Sequence, residues 1–274
     1  MTNKDFKFGT LIRTGPTLKH GGKWNAELVE SVRNTRTNAD LTIHIKIFFS
    51  KIDPAGATGF RGDADDPSED STMIVPSQKR IQKWKPGEFE SYTQKLVNGA
   101  QRFWNGKFWL QTPSSYNALN YPDNRPTHRC NLYCRFKLDR ALTVADSHYT
   151  IAVVRVQDDV TFRSHSTLFS QKDIGSEKII PGSTTKFWTH FHEVGHLIGL
   201  AHVGTGAQAR KNIHGNNSPT AYGVTKQEMR DVMGKGSIRH KWHATPWQEA
   251  AEEFTGVKAA LWKVSQRRRF PRRL

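Results

Sequence analysis

The sequence predicts an α+β fold: a twisted mixed β-sheet backed by one long helix, followed by a second helix that carries the functional residues. Three observations support this class: a strand-like alternation at residues 41–49, an amphipathic helical pattern at residues 84–104, and a histidine-rich helical segment at residues 187–198. Strands and helices that follow one another in this irregular order are typical of α+β proteins.

The strands follow from hydrophobic alternation. Residues 41–49 place apolar and mostly polar side chains at alternate positions, which is the period of two expected of a strand. The apolar positions are Leu41, Ile43, Ile45, Ile47 and Phe49. We expect an earlier run at residues 26–32 to pair with this strand as a hairpin or through a long turn. Further strands are predicted at residues 130–138, 149–156 and 167–170.

Two helices follow from a spacing of three and four residues. In the first, apolar side chains recur on one face after Pro86-Gly87, and Asn105-Gly106 ends the pattern. These side chains are Phe89, Tyr92, Leu96, Ala100 and Phe103. In the second, residues 183–185 are predicted to cap a helix with a wide apolar face that reaches Ile198.

Length and composition limit the class of protein. The chain has 274 residues, of which 36% are hydrophobic and 11% aromatic, enough to fill a sizeable core. The longest apolar runs are far shorter than the roughly 20 residues of a membrane-spanning helix, so no transmembrane segment is expected. The N-terminus shows no classical signal peptide, which favours a cytoplasmic protein or export by a dedicated secretion system.

The formal net charge of +16 predicts attraction to nucleic acid, acidic surfaces or acidic proteins. Six of the excess cations lie in the tail, residues 263–274, which holds no acidic residue. This tail is interpreted either as a flexible basic arm or as a solvated, frayed end.

Two other patterns have simple interpretations. The acidic cluster at residues 63–70 is favoured as a solvated loop over a calcium site, because the EF-hand spacing is absent. Cys130 and Cys134 lie four residues apart in a predicted strand, a separation of about 13 Å. Because a disulfide requires Cα atoms closer than about 7 Å, free thiols are the expectation.

The strongest motif lies in the second helix and reads His-Glu-Val-Gly-His. His192 and His196 are four residues apart, so both imidazoles leave one face of the helix and can converge on one metal ion. Glu193 adjoins the first of these histidines, where it can accept a proton from a metal-activated water without being a ligand itself. The pattern predicts metal-assisted hydrolysis.

The motif continues to a third histidine, His202, six residues beyond His196. A continued helix would direct His202 away from the other two, so the helix must end between them. Gly199 is predicted to end it, since glycine accepts the left-handed conformation that turns a chain after a helix. Three neutral imidazoles leave a fourth position open on zinc, the arrangement of catalytic rather than structural sites.

The extended pattern HExxHxxGxxH, together with the later segment Asp231-Val-Met-Gly, resembles the metzincin zinc peptidases. The resemblance implies one catalytic Zn²⁺ on the three histidines, and Met233 as a hydrophobic floor beneath them rather than a ligand. It also implies that residues 84–104 form the backing helix, and that residues 245–262 form a final helix in a small, irregular lower subdomain.

This resemblance divides the chain. Residues 41–262 form the expected catalytic domain, with an upper part at 41–200 and a lower part at 201–262. Residues 1–40 are an N-terminal extension or hairpin, and residues 263–274 are the basic tail.

One metzincin feature has no counterpart in the sequence. Some members carry a tyrosine soon after the methionine that assists at the developing oxyanion, but Gly-Lys-Gly-Ser-Ile-Arg follows Met233. Tyr222, His240 and His243 are the candidates by position. For His240 and His243, as for His214, a surface role is favoured over zinc binding. His190 is expected to be packed or exposed and His44 to lie on a strand surface, neither as a ligand.

Two functions follow from these patterns. The first is a zinc-dependent endopeptidase acting on a protein or peptide substrate, with Glu193 as general base, in the setting of an intracellular peptidase or a delivered, toxin-like effector. The alternative is a basic protein that binds nucleic acid or an acidic surface and has a structural or inactive zinc site.

Overall fold

The fold is taken from a computed structural model of the chain. The structure describes residues 9–11, 23–30, 38–54, 61–62, 73–74, 81–113, 131–158, 162, 164–174, 178–179, 186–204 and 222–267.

These residues form twelve strands and four α-helices. The strands are β1 (Gly9–Leu11), β2 (Asn25–Glu30), β3 (Asn38–Ile52), β4 (Arg61–Gly62), β5 (Met73–Ile74), β6 (Phe108–Gln111), β7 (Asn131–Arg140), β8 (Tyr149–Val154), β9 (Leu168–Ser170), β10 (Lys178–Ile179), β11 (Lys186–Phe187) and β12 (Lys263–Ser265). The helices are α1 (Glu88–Trp104), α2 (Thr189–Leu197), α3 (Lys226–Arg230) and α4 (Thr245–Thr255).

One mixed sheet of eight strands organises the fold, with the order β1-β2-β3-β7-β6-β12. The long strand β3 pairs in parallel with β7 along one side. Its other side pairs first with β2, antiparallel, and then with β8, parallel. Strand β9 continues the sheet beyond β8. The mixed sheet and the small number of helices agree with the predicted α+β class.

Strand β3 occupies the centre because one of its faces is entirely apolar. Leu41, Ile43, Ile45 and Ile47 are fully buried, while the residues between them are partly exposed. The predicted alternation is therefore confirmed, although β3 is longer at both ends than residues 41–49. The predicted pairing of residues 26–32 with this strand is also confirmed, since β2 runs antiparallel to it.

Helix α1 backs the sheet by packing and by direct hydrogen bonds. The apolar face predicted from the sequence is buried against the core. In addition, the Gln101 side chain accepts from the Leu138 N–H (2.9 Å) and the Asn105 side chain accepts from the Phe136 N–H (3.0 Å). The helix is thereby fixed in register on β7. It begins at Glu88 rather than at Trp84, which is buried outside it.

Several predicted boundaries are wrong. The functional helix begins at Thr189, because Trp188 is extended and Phe187 belongs to a strand paired with β10. The predicted cap at residues 183–185 lies outside the described residues. The final helix stops at Thr255, where Gly256 adopts a left-handed φ of 70°. The helical spacing of apolar residues continues past this point, but the backbone does not follow it.

The basic tail does not begin as a frayed end. Residues 263–265 form β12, which pairs antiparallel with β6 at the edge of the sheet. Strand β6 was not predicted from the sequence, because it is only four residues long and closely follows the turn after α1. Residues 63–70, Cys130 and His214 lie outside the described residues, and Cys134 is a buried free thiol.

Among the helices that the structure describes, none has both the length and the apolar character needed to cross a membrane.

A candidate metal centre on helix α2

Helix α2 is short, and other parts of the fold hold it at both ends. It has nine residues and buries Val194 and Leu197 in the core. The Trp104 indole N–H donates to the Phe191 carbonyl (3.1 Å), and the Tyr149 hydroxyl donates to the Leu197 carbonyl (2.7 Å). The helix is therefore tied to α1 near its start and to β8 at its end.

The three predicted ligands come together beside this helix. The Nε2 atoms of His192 and His196 are 3.1 Å apart, those of His196 and His202 are 3.1 Å apart, and those of His192 and His202 are 3.2 Å apart. Zinc–nitrogen bonds of about 2.0–2.1 Å in a tetrahedron place the nitrogens about 3.3–3.4 Å apart. The triangle therefore has nearly the size that one shared metal ion requires.

Hydrogen bonds at the other ring nitrogens fix which atoms face inward. The His192 Nδ1–H donates to the Val232 carbonyl (2.7 Å), and the His196 Nδ1–H donates to the Leu200 carbonyl (2.8 Å). In the neutral tautomer, both Nε2 atoms then carry a lone pair and no hydrogen. Two such atoms 3.1 Å apart share no hydrogen bond with each other, and both are free of hydrogen on the side where one metal ion could be held.

The turn at Gly199 brings the third histidine back to the site, as the sequence predicts. Gly199 has a φ of 98°, in the left-handed region that glycine adopts at little cost. The Leu200 N–H then donates to the Gly195 carbonyl (2.9 Å), which closes the end of the helix. The Leu200 carbonyl, which orients His196, lies in the same turn. The turn at Gly199 therefore positions two of the three histidines, His196 and His202.

Met233 lies beneath the helix, against Gly195. Its side chain is fully buried, and a Cβ atom placed on Gly195 would collide with the Met233 sulfur and lie 3.3 Å from the Trp104 ring. The Val203 N–H donates to the Met233 carbonyl (3.2 Å), which links this segment to the chain just after His202. Met233 thus packs against the helix that bears His192 and His196.

Glu193 is 7% exposed and adjoins His192 on α2. A nearly buried carboxylate next in the chain to one of the three histidines is a candidate for proton transfer.

Two aromatic rings flank the ligands. Phe187 meets the His192 ring edge to face at 5.4 Å, and Tyr222 lies 4.2 Å from the His202 ring. Of the three residues considered as oxyanion donors, only Tyr222 contacts the ligand rings. Phe187 was not singled out from the sequence, since it was assigned to the apolar face of the helix.

The surface role favoured for His243 is wrong. Its side chain is fully buried and lies 2.9 Å from the Asp231 carboxylate, within hydrogen-bond distance. His240 is partly buried beside it. No sequence pattern pointed to Asp231 beyond its place in the methionine segment.

His190 and His44 behave as expected. His190 is buried, its Nδ1–H donates to the Asp173 carbonyl (3.1 Å), and burial lowers its pKa to about 4, so it stays neutral at pH 7. His44 lies on β3, partly exposed and 2.8 Å from Asp139.

Comparisons of the chain with models of known protein families, with curated proteins and with solved structures find no match. Function is therefore inferred from the geometry of this site and from the sequence motif.

The contact between Gly195 and Met233 gives the first prediction. The Gly195→Ala substitution should lower the free energy of unfolding by about 1–3 kcal/mol, because the added methyl group overpacks the core. The measurement is urea denaturation of the metal-free protein.

A double-mutant cycle with Met233→Ala supplies the control. Removing the methionine side chain makes room for the new methyl group. Gly195→Ala should therefore lower the free energy of unfolding by less in the Met233→Ala background than in the wild type. If the losses of unfolding free energy in the two single variants simply add in the double variant, the two side chains are not in steric contact.

Proposed function

We propose that the protein is a zinc-dependent endopeptidase of the metzincin type. The observation that carries this proposal is the triangle of three Nε2 atoms, 3.1–3.2 Å apart, on a helix that also bears Glu193. The three histidines of the motif are also the three whose ring nitrogens lie close together.

The donor set suits zinc. Imidazole nitrogen is a good ligand for zinc and copper and a poor one for magnesium and calcium, which prefer oxygen. Within the part of the chain that the structure describes, the cluster holds three histidines and no cysteine or fourth histidine, which matches catalytic zinc sites that keep a position open. When bound there, zinc supplies Lewis acidity and lowers the pKa of a coordinated water toward 7.

Residues of the chain bind the metal, transfer the proton and stabilise the oxyanion. His192, His196 and His202 hold the metal. Glu193 accepts the proton of the attacking water and returns it to the leaving amine. Tyr222, beside the ring of His202, is the candidate donor to the oxyanion that develops on the scissile carbonyl.

The surrounding fold supports the same assignment. A mixed sheet, the backing helix α1, a short ligand-bearing helix ended by a glycine, and a buried methionine beneath it follow the order of a metzincin domain. A protein or peptide substrate is the substrate class that this architecture implies.

A second prediction tests the role of Glu193. Glu193→Gln should bind one zinc ion as the wild type does, because Glu193 is not a ligand. Its turnover of a diverse peptide library should fall at least about 100-fold, the usual contribution of a general base. Metal content by mass spectrometry and cleavage by chromatography provide the two readouts.

The matched control is Glu90→Gln, an equal change on the exposed side of α1. It should leave both zinc content and cleavage unchanged. Equal turnover by wild type and Glu193→Gln would contradict the proposed role, and loss of zinc from Glu193→Gln would show that the glutamate acts in metal binding instead.

A polyanion-binding function is the second candidate, and a local cluster of cations favours it. Burial, and then the nearby Arg239 guanidinium, lower the pKa of the Lys107 ammonium group. Arg239 itself lies 4.2 Å above the Phe103 ring. No carboxylate of the described residues forms an ion pair with either cation, so a bound anion would relieve their repulsion.

A third prediction tests this candidate with a single-stranded oligonucleotide. Its Kd should rise steeply with salt, and Lys107→Gln should reduce the slope of log Kd against log salt by about 0.7 per lost phosphate contact. The control, Lys95→Gln on the exposed side of α1, should leave the slope unchanged. Undetectable binding, or binding indifferent to salt, would exclude this function.

A further inference from the structure

Asp231 forms a buried hub just before the methionine that lies under the metal centre. Its side chain is 2% exposed. One carboxylate oxygen accepts from the Met233 N–H (2.7 Å) and from the His243 Nε2–H (2.9 Å), and the other accepts from the Trp242 indole N–H (3.1 Å). A buried carboxylate is costly unless it is hydrogen-bonded in this way.

The tautomer of His243 is fixed by its other nitrogen. The His240 backbone N–H donates to the His243 Nδ1 (2.8 Å), so the ring hydrogen lies on Nε2 and points to Asp231. Burial is the main factor that lowers the pKa of His243, which keeps the ring neutral at pH 7. The hub thus consists of one carboxylate and three hydrogen-bond donors, and the His240 Nε2 lies farther off, 3.9 Å from the second carboxylate oxygen.

The hub holds the carbonyl group that orients a metal ligand. Val232 lies between Asp231 and Met233, and its carbonyl accepts from His192 at 2.7 Å. The Val232 N–H donates to the Ile238 carbonyl (2.9 Å), and the next peptide N–H is fixed by the Asp231 carboxylate. With the peptide groups on both sides held, the Val232 carbonyl has no freedom to turn away from His192.

A second contact connects the hub to the same helix. The Trp104 ring packs edge to face on His243, with centroids 5.8 Å apart, and its indole N–H donates to the Phe191 carbonyl. Phe191 directly precedes His192. Displacement of His243 would therefore disturb His192 by two routes. One passes through Trp104 and helix α2, and the other passes through Asp231 and the Val232 carbonyl.

We propose that Asp231 is a positioning residue that sets the metal affinity of the three-histidine centre by holding the Val232 carbonyl against His192. This inference depends on metal binding at the triad and not on peptidase activity. Its test therefore uses metal affinity alone, and a failure of the proposed enzyme function would leave it standing.

The test is the zinc Kd of Asp231→Asn, measured by competition with a chromophoric chelator. An amide in place of the carboxylate must direct its NH₂ group at one of the three donors, which disrupts the hub without changing its size. We expect the Kd for zinc to rise at least about tenfold, the usual effect of losing a residue that supports a metal ligand. The d–d absorption bands of the cobalt-loaded variant should shift as the geometry at His192 changes.

Asp173→Asn is the matched control. Asp173 is also a buried carboxylate (4% exposed), and it accepts from a backbone N–H and a serine hydroxyl, those of Ser170 and Ser164. Both variants should have a lower Tm, but Asp173→Asn should keep its zinc Kd within threefold of the wild type. Equal loss of affinity in both variants, or an unchanged Kd in Asp231→Asn, would overturn the proposal.

Trp242→Phe provides a milder test if Asp231→Asn does not fold. It removes only the donor to the second carboxylate oxygen and keeps an aromatic ring in place. The zinc Kd should rise by a smaller factor, about threefold to tenfold, with the cobalt bands shifted in the same direction. An unchanged Kd and an unchanged cobalt spectrum in this folded variant would also overturn the proposal.

Discussion

The convergence of three imidazole nitrogens is the constraint on which the rest of this structure depends. A helix directs two histidines four residues apart to one point, so His202, six residues beyond His196, can join them only if the helix ends first. Helix α2 stops after nine residues, and Gly199 reverses the chain within one further turn. A helix this short has little stability of its own, so α1, β8 and the methionine segment must hold it.

The supports of the site form a continuous path through the core. Trp104, at the end of α1, bonds to the start of α2 and packs on His243, while His243 meets the carboxylate that organises the methionine segment. That segment in turn presents a carbonyl to His192 and a sulfur atom to Gly195. The metal ligands are therefore oriented by residues distant in sequence, which accounts for a precise site on a small helix.

The sequence predicted the parts of the site that depend on local spacing. His192, His196, Gly199 and His202 are related by backbone geometry over eleven residues, and they lie where the motif places them. The Asp231 hub could not be predicted, because its partners meet only after the chain has folded back on itself. The same reasoning applies to the sheet: alternation predicted β3, whereas β12 depends on pairing with β6, about 150 residues earlier. At the end of α4, the helical spacing of apolar residues past Thr255 outweighed the stop signal of Gly256 in the prediction, although the backbone obeys the glycine.

X-ray absorption spectroscopy of the zinc-loaded protein tests most directly whether the three histidines form an open metal centre. We predict three imidazole nitrogens at about 2.0–2.1 Å and one exchangeable oxygen ligand. In His202→Ala, the number of imidazole ligands that account for the spectrum should fall from three to two. A closed shell of four protein ligands, any sulfur ligand, or an unchanged spectrum in His202→Ala would contradict the account of the site given above.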